Sequence, residues 1–464
     1  MKRIAMTAIF AVALATPAVA QDKSVAGEAQ ALDVLKRSIG FRTVAGAGNQ
    51  TFEYATYLKS VLVAGGFAPE DIIIEKVGDT AWLAARYRGT GKAKGGAKPI
   101  LISAHMDVVE AKPADWERDP FTAVVEKGFV WGRGSSDNKA DLSIMVATLI
   151  QLKAKGFKPG RDIVMLLSGD EETSMKTTAM LAAKYDQAEL LLNIDGGGGK
   201  YAEDGKPEVF GLQGAEKTYA DFELGFTDPG GHSSAPDATN PIYSLARALE
   251  KIEAYKFPGQ LNEITKASLL AAADQTGGAK GEAMRRFVAN PADPEALKVL
   301  RADPAYVGQV GTTCVATMAS AGHAPNALPQ RASANVNCRI FPGVKVADVM
   351  AKLAEVAGDP AMTIREIGSG SVASDASPLR PDLMKVVTKA IHARFPGVPV
   401  VPSMSAGATD SMHFRARGVP SYGVSPGFMK TSDSFAHGLN ERTPVSEIGP
   451  SIVFFETVLR ELAK

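Results

Sequence analysis

Cysteine is nearly absent from this chain of 464 residues, which carries only Cys314 and Cys338. A disulfide framework is therefore excluded, and so is a thiolate metal cluster. The two cysteines lie at equal sequence distance from Asn326, so a hairpin there would let them face each other and bridge. Two buried thiols is the blander reading. Net charge is lacking as well, since 51 Lys and Arg balance 51 Asp and Glu. No overall field gathers nucleic acid or an anionic membrane, and a small or neutral substrate is more natural. Long apolar runs are missing apart from residues 4–15, shorter than the roughly 20 residues a membrane span needs. Lys2 and Arg3 precede that run and Ala18-Val19-Ala20 follow it, so residues 1–20 read as a cleaved secretory signal. A mature protein starting near Gln21, periplasmic or secreted and not held by a membrane, is expected.

What is present is length and pattern. The chain exceeds what one hydrophobic core usually supports, so two or more domains are expected. Residues 99–104, 162–168 and 190–194 are short apolar runs without polar alternation, the mark of parallel strands covered on both faces. Leu142, Met145, Val146, Leu149 and Ile150 predict an amphipathic helix over 141–155 that Gly156 ends, and Ile448, Ile452, Phe455 and Leu459 predict another at the C-terminus. From about residue 216 the pattern changes. Strands at 217–226, 310–319, 332–341 and 362–367, with helices at 241–255 and 346–356, give a β-α-β-β-α-β order. The predicted fold class is α/β: a doubly wound, mostly parallel sheet built from residues 21–215 and 369–464, interrupted by a smaller ferredoxin-like α+β domain at 216–368. Residues 256–304, Ala-rich and charged, read as a helical insertion within that smaller domain. Helix and strand return at 378–395 and 419–424.

In open α/β sheets, the strand C-termini converge on one crevice. His105 follows the first apolar run, Glu171 and Glu172 the second, and Asp195 the third. With Asp137 and His437 they form a set of nitrogen and oxygen ligands suited to Zn²⁺, and a shared carboxylate lets five ligands hold two ions. Asp107, two residues from His105, falls on the same face of an extended chain and can accept the imidazole N–H. Adjacent Glu171 and Glu172 point to opposite sides of extended backbone, so one ligates and the other is free for proton transfer. Simpler readings exist for each. His105 alone is more often a satisfied core histidine, the Glu pair an acidic surface turn, Asp137 a helix cap, and Gly196 to Gly199 a flexible loop.

These motifs, in their order and spacing, resemble the di-zinc exopeptidases that include glutamate carboxypeptidase, carnosinase-type dipeptidases and aminoacylase. The Gly-Ala-Glu-Lys run at 214–217 and the helical insertion are most similar to the carboxypeptidase S branch. The resemblance implies that His105 and Asp195 hold one zinc, Glu172 and His437 the other, and that Asp137 bridges them. It makes Glu171 the general base, Asp107 the residue that orients the histidine, and the smaller domain a lid and dimerisation module. His232, in Gly-Gly-His-Ser-Ser-Ala-Pro, matches a histidine that reaches the partner subunit's site in a homodimer. Asn326 and Arg339 match substrate contacts, and Gly407-Ala408-Thr409-Asp410 resembles a Gly-Gly-Thr-Asp loop lining the same cleft. Departures are small: Asn138 stands where many members have Asp or Met, and Ala140 and Ala408 replace glycines. The expected activity is that of an exported zinc carboxypeptidase or dipeptidase acting on an amide next to a free carboxylate, with Co²⁺ or Mn²⁺ as substitute metals. The alternative is an N-acyl amino acid amidohydrolase. A non-catalytic metal-binding protein on the same fold is a third reading. His323, His392 and His413 lack matching carboxylates and are read as structural or surface residues.

Overall fold

The computed structural model of the chain describes residues 24–93, 98–368 and 370–464. The signal reading of residues 1–20 lies outside the described residues. Among the described residues, no helix is long and apolar enough to cross a membrane.

A sheet of ten strands forms the larger layer. At its centre, Ile163–Ser168, Ile100–His105, Leu190–Asn193 and Ser421–Gly423 run side by side in parallel. Their apolar runs are unbroken because both faces are covered, and the period-two alternation of a strand divides each run between the two. Ile100, Ile102, Met165, Leu167 and Leu192 face one core with the helices Lys139–Ala154 and Ile448–Leu462. Leu101, Val164, Leu166 and Leu191 face another, with Leu181 and Phe414. The sheet is mixed at its borders, where Ile72–Val77 and Thr80–Tyr87 pair antiparallel. These two strands, and the helices Glu28–Ile39 and Thr51–Ala64 before them, had no counterpart in the sequence reading.

The helix Lys139–Ala154 corrects one expectation. It is buried on nearly all sides rather than amphipathic, because the helices Glu28–Ile39 and Ile448–Leu462 pack against it in addition to the sheet. Gly156, at φ +68°, stands just beyond its end, in a backbone region that side chains disfavour.

The smaller layer is an antiparallel sheet in the spatial order Thr313–Ala321, Arg331–Ile340, Thr218–Thr227, Thr363–Ile367. Helices Pro241–Ala254 and Val346–Ala357 share a core with it through Phe222, Leu224, Leu245, Val336 and Leu353. This is the strand order of a ferredoxin-like lid. Cys314 and Cys338 sit opposite each other on adjacent strands and are disulfide-bonded, so the reading as two thiols is corrected. Residues 256–304 form helices around Leu269, Met284, Phe287 and Leu300. They interrupt the lid in sequence, yet the helix Glu263–Thr276 packs on the larger sheet, where Ile264 meets Ala215 and Met404.

Candidate metal centre

His105 ends its strand at the crevice and is 1 % exposed. Its Nδ1 lies 3.0 Å from the backbone carbonyl of Asp107, which leaves Nε2 turned toward Asp137 Oδ1 at 2.9 Å and Asp195 Oδ1 at 3.6 Å. Asp107 therefore orients the histidine through its main chain. Its carboxylate, 3.7 Å from the ring, instead accepts the backbone N–H groups of Glu171 (3.1 Å) and Glu172 (3.0 Å). This corrects the expectation that the Asp107 side chain takes the imidazole proton.

The second oxygen of Asp137 lies 3.2 Å from His437 Nε2, and the same nitrogen lies 3.0 Å from Glu172 Oε1. Two donor groups thus meet at Asp137: His105, Asp137 and Asp195 on the buried side, and Asp137, Glu172 and His437 on the open side, where the His437 side chain is 56 % exposed. Asp137 does not cap the following helix. That position belongs to Asn138, whose amide reaches Asp195 Oδ1 at 3.2 Å; the peptide bond joining Asp137 to Asn138 is cis.

Glu171 and Glu172 are not on extended backbone. Asp170 accepts from Ser174 Oγ, from the N–H groups of Lys176 and Thr177 and from Thr177 Oγ1, and this folds residues 171–174 into a turn. Both glutamates can consequently offer an oxygen near His105, which overturns the argument that they point apart. Gly196 to Gly199 is also not a loose loop. Gly197, at φ +75°, packs so tightly that a Cβ there would lie 2.4 Å from the carbonyl of Gly423 and 2.6 Å from that of Gly211.

The electrostatics describe a crowd of negative charge. Burial pushes the carboxyl of Asp195 up to about 7, holds Glu172 above its usual range, and drives Glu171 well above it, with Asp195, Asp410 and Glu172 adding to the effect on Glu171. Burial alone disfavours the charged His105 ring, yet Asp195, Asp107 and Asp137 outweigh it and raise its pKa well above the normal value. Hydrogen bonds to Asp137 and Glu172 raise His437 to about 10. Four carboxylates against two imidazoles is a cluster that positive charge stabilises, and its all nitrogen and oxygen donors fit divalent ions of the zinc, cobalt and manganese kind.

The lid residues lie apart from this cluster. Gly231–His232 pairs with Ala327–Leu328, and Ser233 N–H donates to the carbonyl of Asn326, so His232 and Asn326 are neighbours on an exposed part of the lid. Arg339 packs its guanidinium 4.7 Å from the centre of the Tyr219 ring and donates to the carbonyl of Ala406 at 3.4 Å. Among the described residues, no hydrogen bond or ion pair ties these three to the donor groups. Asp410 does not line the cleft. It is buried, accepting from Ser168 Oγ at 2.7 Å, Ser103 Oγ at 3.1 Å and Thr178 Oγ1. His413 and His392 bond to backbone carbonyls of Gly370 and Val398 as structural residues do, and His323 is exposed. Sequence reasoning missed Glu441, a fully buried carboxylate that organises the turn carrying Asp137; its spacing of four from His437 was the only available signal.

The chain is 28 % identical over 384 residues to "N-fatty-acyl-amino acid synthase/hydrolase PM20D1.1" of Danio rerio, covering 78 % of this chain and 72 % of that protein. It is 28 % identical over 383 residues to "Probable carboxypeptidase S-like 2" of Dictyostelium discoideum, covering 79 % and 72 %. Its fold is similar to that of an M20 family metallo-carboxypeptidase from Sulfolobus solfataricus, with a TM-score of 0.70 at 21 % identity over 93 % of this chain and 98 % of that one. Human carnosine dipeptidase 1 follows at a TM-score of 0.61 and 13 % identity, over 94 % and 97 %. The profile of peptidase family M20/M25/M40 matches residues 101–461, a span that includes every donor described above, and this chain belongs to that family of amide-bond hydrolases.

Proposed function

We propose that the chain is an exported exopeptidase that holds two Zn²⁺ ions and hydrolyses an amide bond next to a free carboxylate. The observation that carries this reading is the pair of donor groups sharing Asp137, with His105 and Asp195 for one ion and Glu172 and His437 for the other. When bound, such ions supply Lewis acidity toward the scissile carbonyl and favour ionisation of water near neutral pH.

The rest of the chemistry belongs to the chain. Glu171, buried beside His105, takes the proton of the attacking water and returns it to the leaving amine. Asp107 holds Glu171 and Glu172 in place through their backbone. Arg339 and Asn326 receive the substrate carboxylate, a role suited to a guanidinium fork. The partner subunit's His232, brought by a homodimer formed through the lid, stabilises the oxyanion.

A second reading, an N-acyl amino acid amidohydrolase using the same groups, is supported by the N-fatty-acyl-amino acid hydrolase relatives. Its substrates also carry a free carboxylate. Purified protein assayed on dipeptides and on N-acyl amino acids separates the two, and we expect dipeptide hydrolysis that a chelator abolishes and Zn²⁺ restores. Turnover of N-acyl amino acids alone would establish the second reading, and metal-independent or absent hydrolysis would sink both. A periplasmic product whose N-terminus is near Gln21 would support export.

A further inference from the structure

Glu441 stands one residue before the short strand Arg442–Pro444, which pairs with Phe129–Trp131 in a small sheet of its own. That pairing lays Glu441 against the turn after Trp131, where its carbonyl accepts Gly132 N–H at 3.0 Å. Its carboxylate is fully buried. One oxygen accepts from Arg133 Nη1 and Gly134 N–H, both at 2.8 Å; the other accepts from Ser136 N–H (2.7 Å), Ser136 Oγ (2.9 Å) and Asp137 N–H (3.0 Å). The desolvation of this carboxylate is thus offset by a guanidinium and four further donors, a degree of satisfaction that removes freedom from every backbone unit it touches.

Arg133 extends the same unit to the other side of the site. It is 3 % exposed, its guanidinium lies 5.0 Å from the centre of the Trp116 ring, and Nη2 donates to the carbonyls of His437 (3.4 Å) and Glu110 (3.5 Å). His437 adopts φ +61°, which a side chain rarely takes without support from its surroundings. One buried ion pair therefore grips both the turn that bears Asp137 and the loop that bears His437, the two groups that face each other at 3.2 Å. Among the described residues, the ion pair makes no hydrogen bond to His105 or Asp195; it reaches that side only through Asp137, which lies 2.9 Å from His105 Nε2, and Asn138, whose amide reaches Asp195 Oδ1.

We infer that Glu441 and Arg133 are positioning residues for the metal centre that act most strongly on the open-side ion, the one assigned to Glu172 and His437, because they grip both Asp137 and His437, whereas they reach the His105 and Asp195 side only through the Asp137 segment. This rests on the two-metal reading above. Groups that orient ligands without touching the metal typically contribute about 10- to 100-fold in affinity.

The test titrates Co²⁺ into the full-length, metal-stripped protein, following visible absorption and bound metal by mass spectrometry, with circular dichroism and melting of the stripped protein as fold controls. Wild type should take two equivalents. Glu441→Gln and Arg133→Lys should weaken one equivalent by about 10- to 100-fold and the other by clearly less. Should Glu441→Gln fail to fold, Arg133→Lys keeps a cation beside Glu441 while withdrawing from the His437 carbonyl, and Ser136→Ala removes a single hydrogen bond at a half-buried position; both should weaken one equivalent more than the other. Folded variants that bind both equivalents as wild type does, or that weaken both sites equally, would overturn the inference. Wild type taking fewer than two equivalents would overturn the two-metal reading, and this inference with it.

Discussion

Asp107 and Glu171 are joined through the main chain of one and the side chain of the other: Asp107 Oδ1 accepts the Glu171 N–H at 3.1 Å, while Oδ2 accepts that of Glu172 at 3.0 Å. The aspartate beside the first histidine is thus a clamp on the turn that carries Glu171, the proposed base. Asp107→Asn replaces one acceptor oxygen with an amide NH2, a donor that repels a facing N–H. We expect kcat at saturating metal to fall about 10- to 100-fold, checked by steady-state kinetics and metal analysis on the same preparation.

Glu171→Gln keeps the size of the side chain and removes its capacity to take a proton. Both metal equivalents should remain, and kcat should fall by about 10²- to 10⁴-fold with KM little altered. A variant with near-normal turnover would remove Glu171 from the mechanism.

At the passage from the larger sheet to the lid, Glu216 and Arg415 form a buried ion pair at 2.6 Å, and Arg415 also donates to Ser377 Oγ (3.0 Å) and to the carbonyl of Ser421 (2.8 Å). Arg415→Met strands the Glu216 carboxylate and should cost about 3–5 kcal/mol of stability. Adding Glu216→Gln should recover part of that loss, because the uncompensated charge goes with it. Denaturant melts of wild type and the single and double variants give the comparison.

Lys217, the next residue, is buried with Nζ donating to the carbonyl of Gly311 at 2.7 Å and to Thr313 Oγ1 at 3.2 Å. Burial, helped by the charge of Arg339, brings its pKa down from 10.5 to about 7. Between those values the unfolded chain binds a proton that the folded chain does not, so this group makes stability rise with pH across that window. Below pH 7 both states are protonated and the full cost of a buried ammonium applies. Lys217→Met lacks this term. The stability of wild type relative to the variant should therefore climb by up to about 4 kcal/mol from pH 6 to pH 10. A difference that stays flat with pH would contradict the assignment.

The parts of the fold legible in the sequence are those whose environment leaves a pattern. The central strands are covered on both faces and so read as unbroken apolar runs, and the lid strands alternate because helices cover one face of their sheet. The helix Thr51–Ala64 left no stripe, with Tyr54 and Leu58 buried while Phe52 is exposed and Tyr57 and Val61 are half-buried. The strand Thr80–Tyr87 is Ala-rich rather than β-branched, which hides it from a propensity reading. The donors could be found because three of the segments follow strands. Their orientation could not: the turn at Glu171 and Glu172 depends on Asp170 bonding forward to Thr177, and Glu441 reaches Asp137 through strands of only three residues.

The central claim is that two ions flank Asp137. Anomalous diffraction at the zinc edge from crystals of the zinc-loaded protein measures this directly. The account predicts two peaks, one within ligand distance of His105 and Asp195, the other of Glu172 and His437, with Asp137 contributing one oxygen to each. A single peak, or peaks away from Asp137, would contradict it.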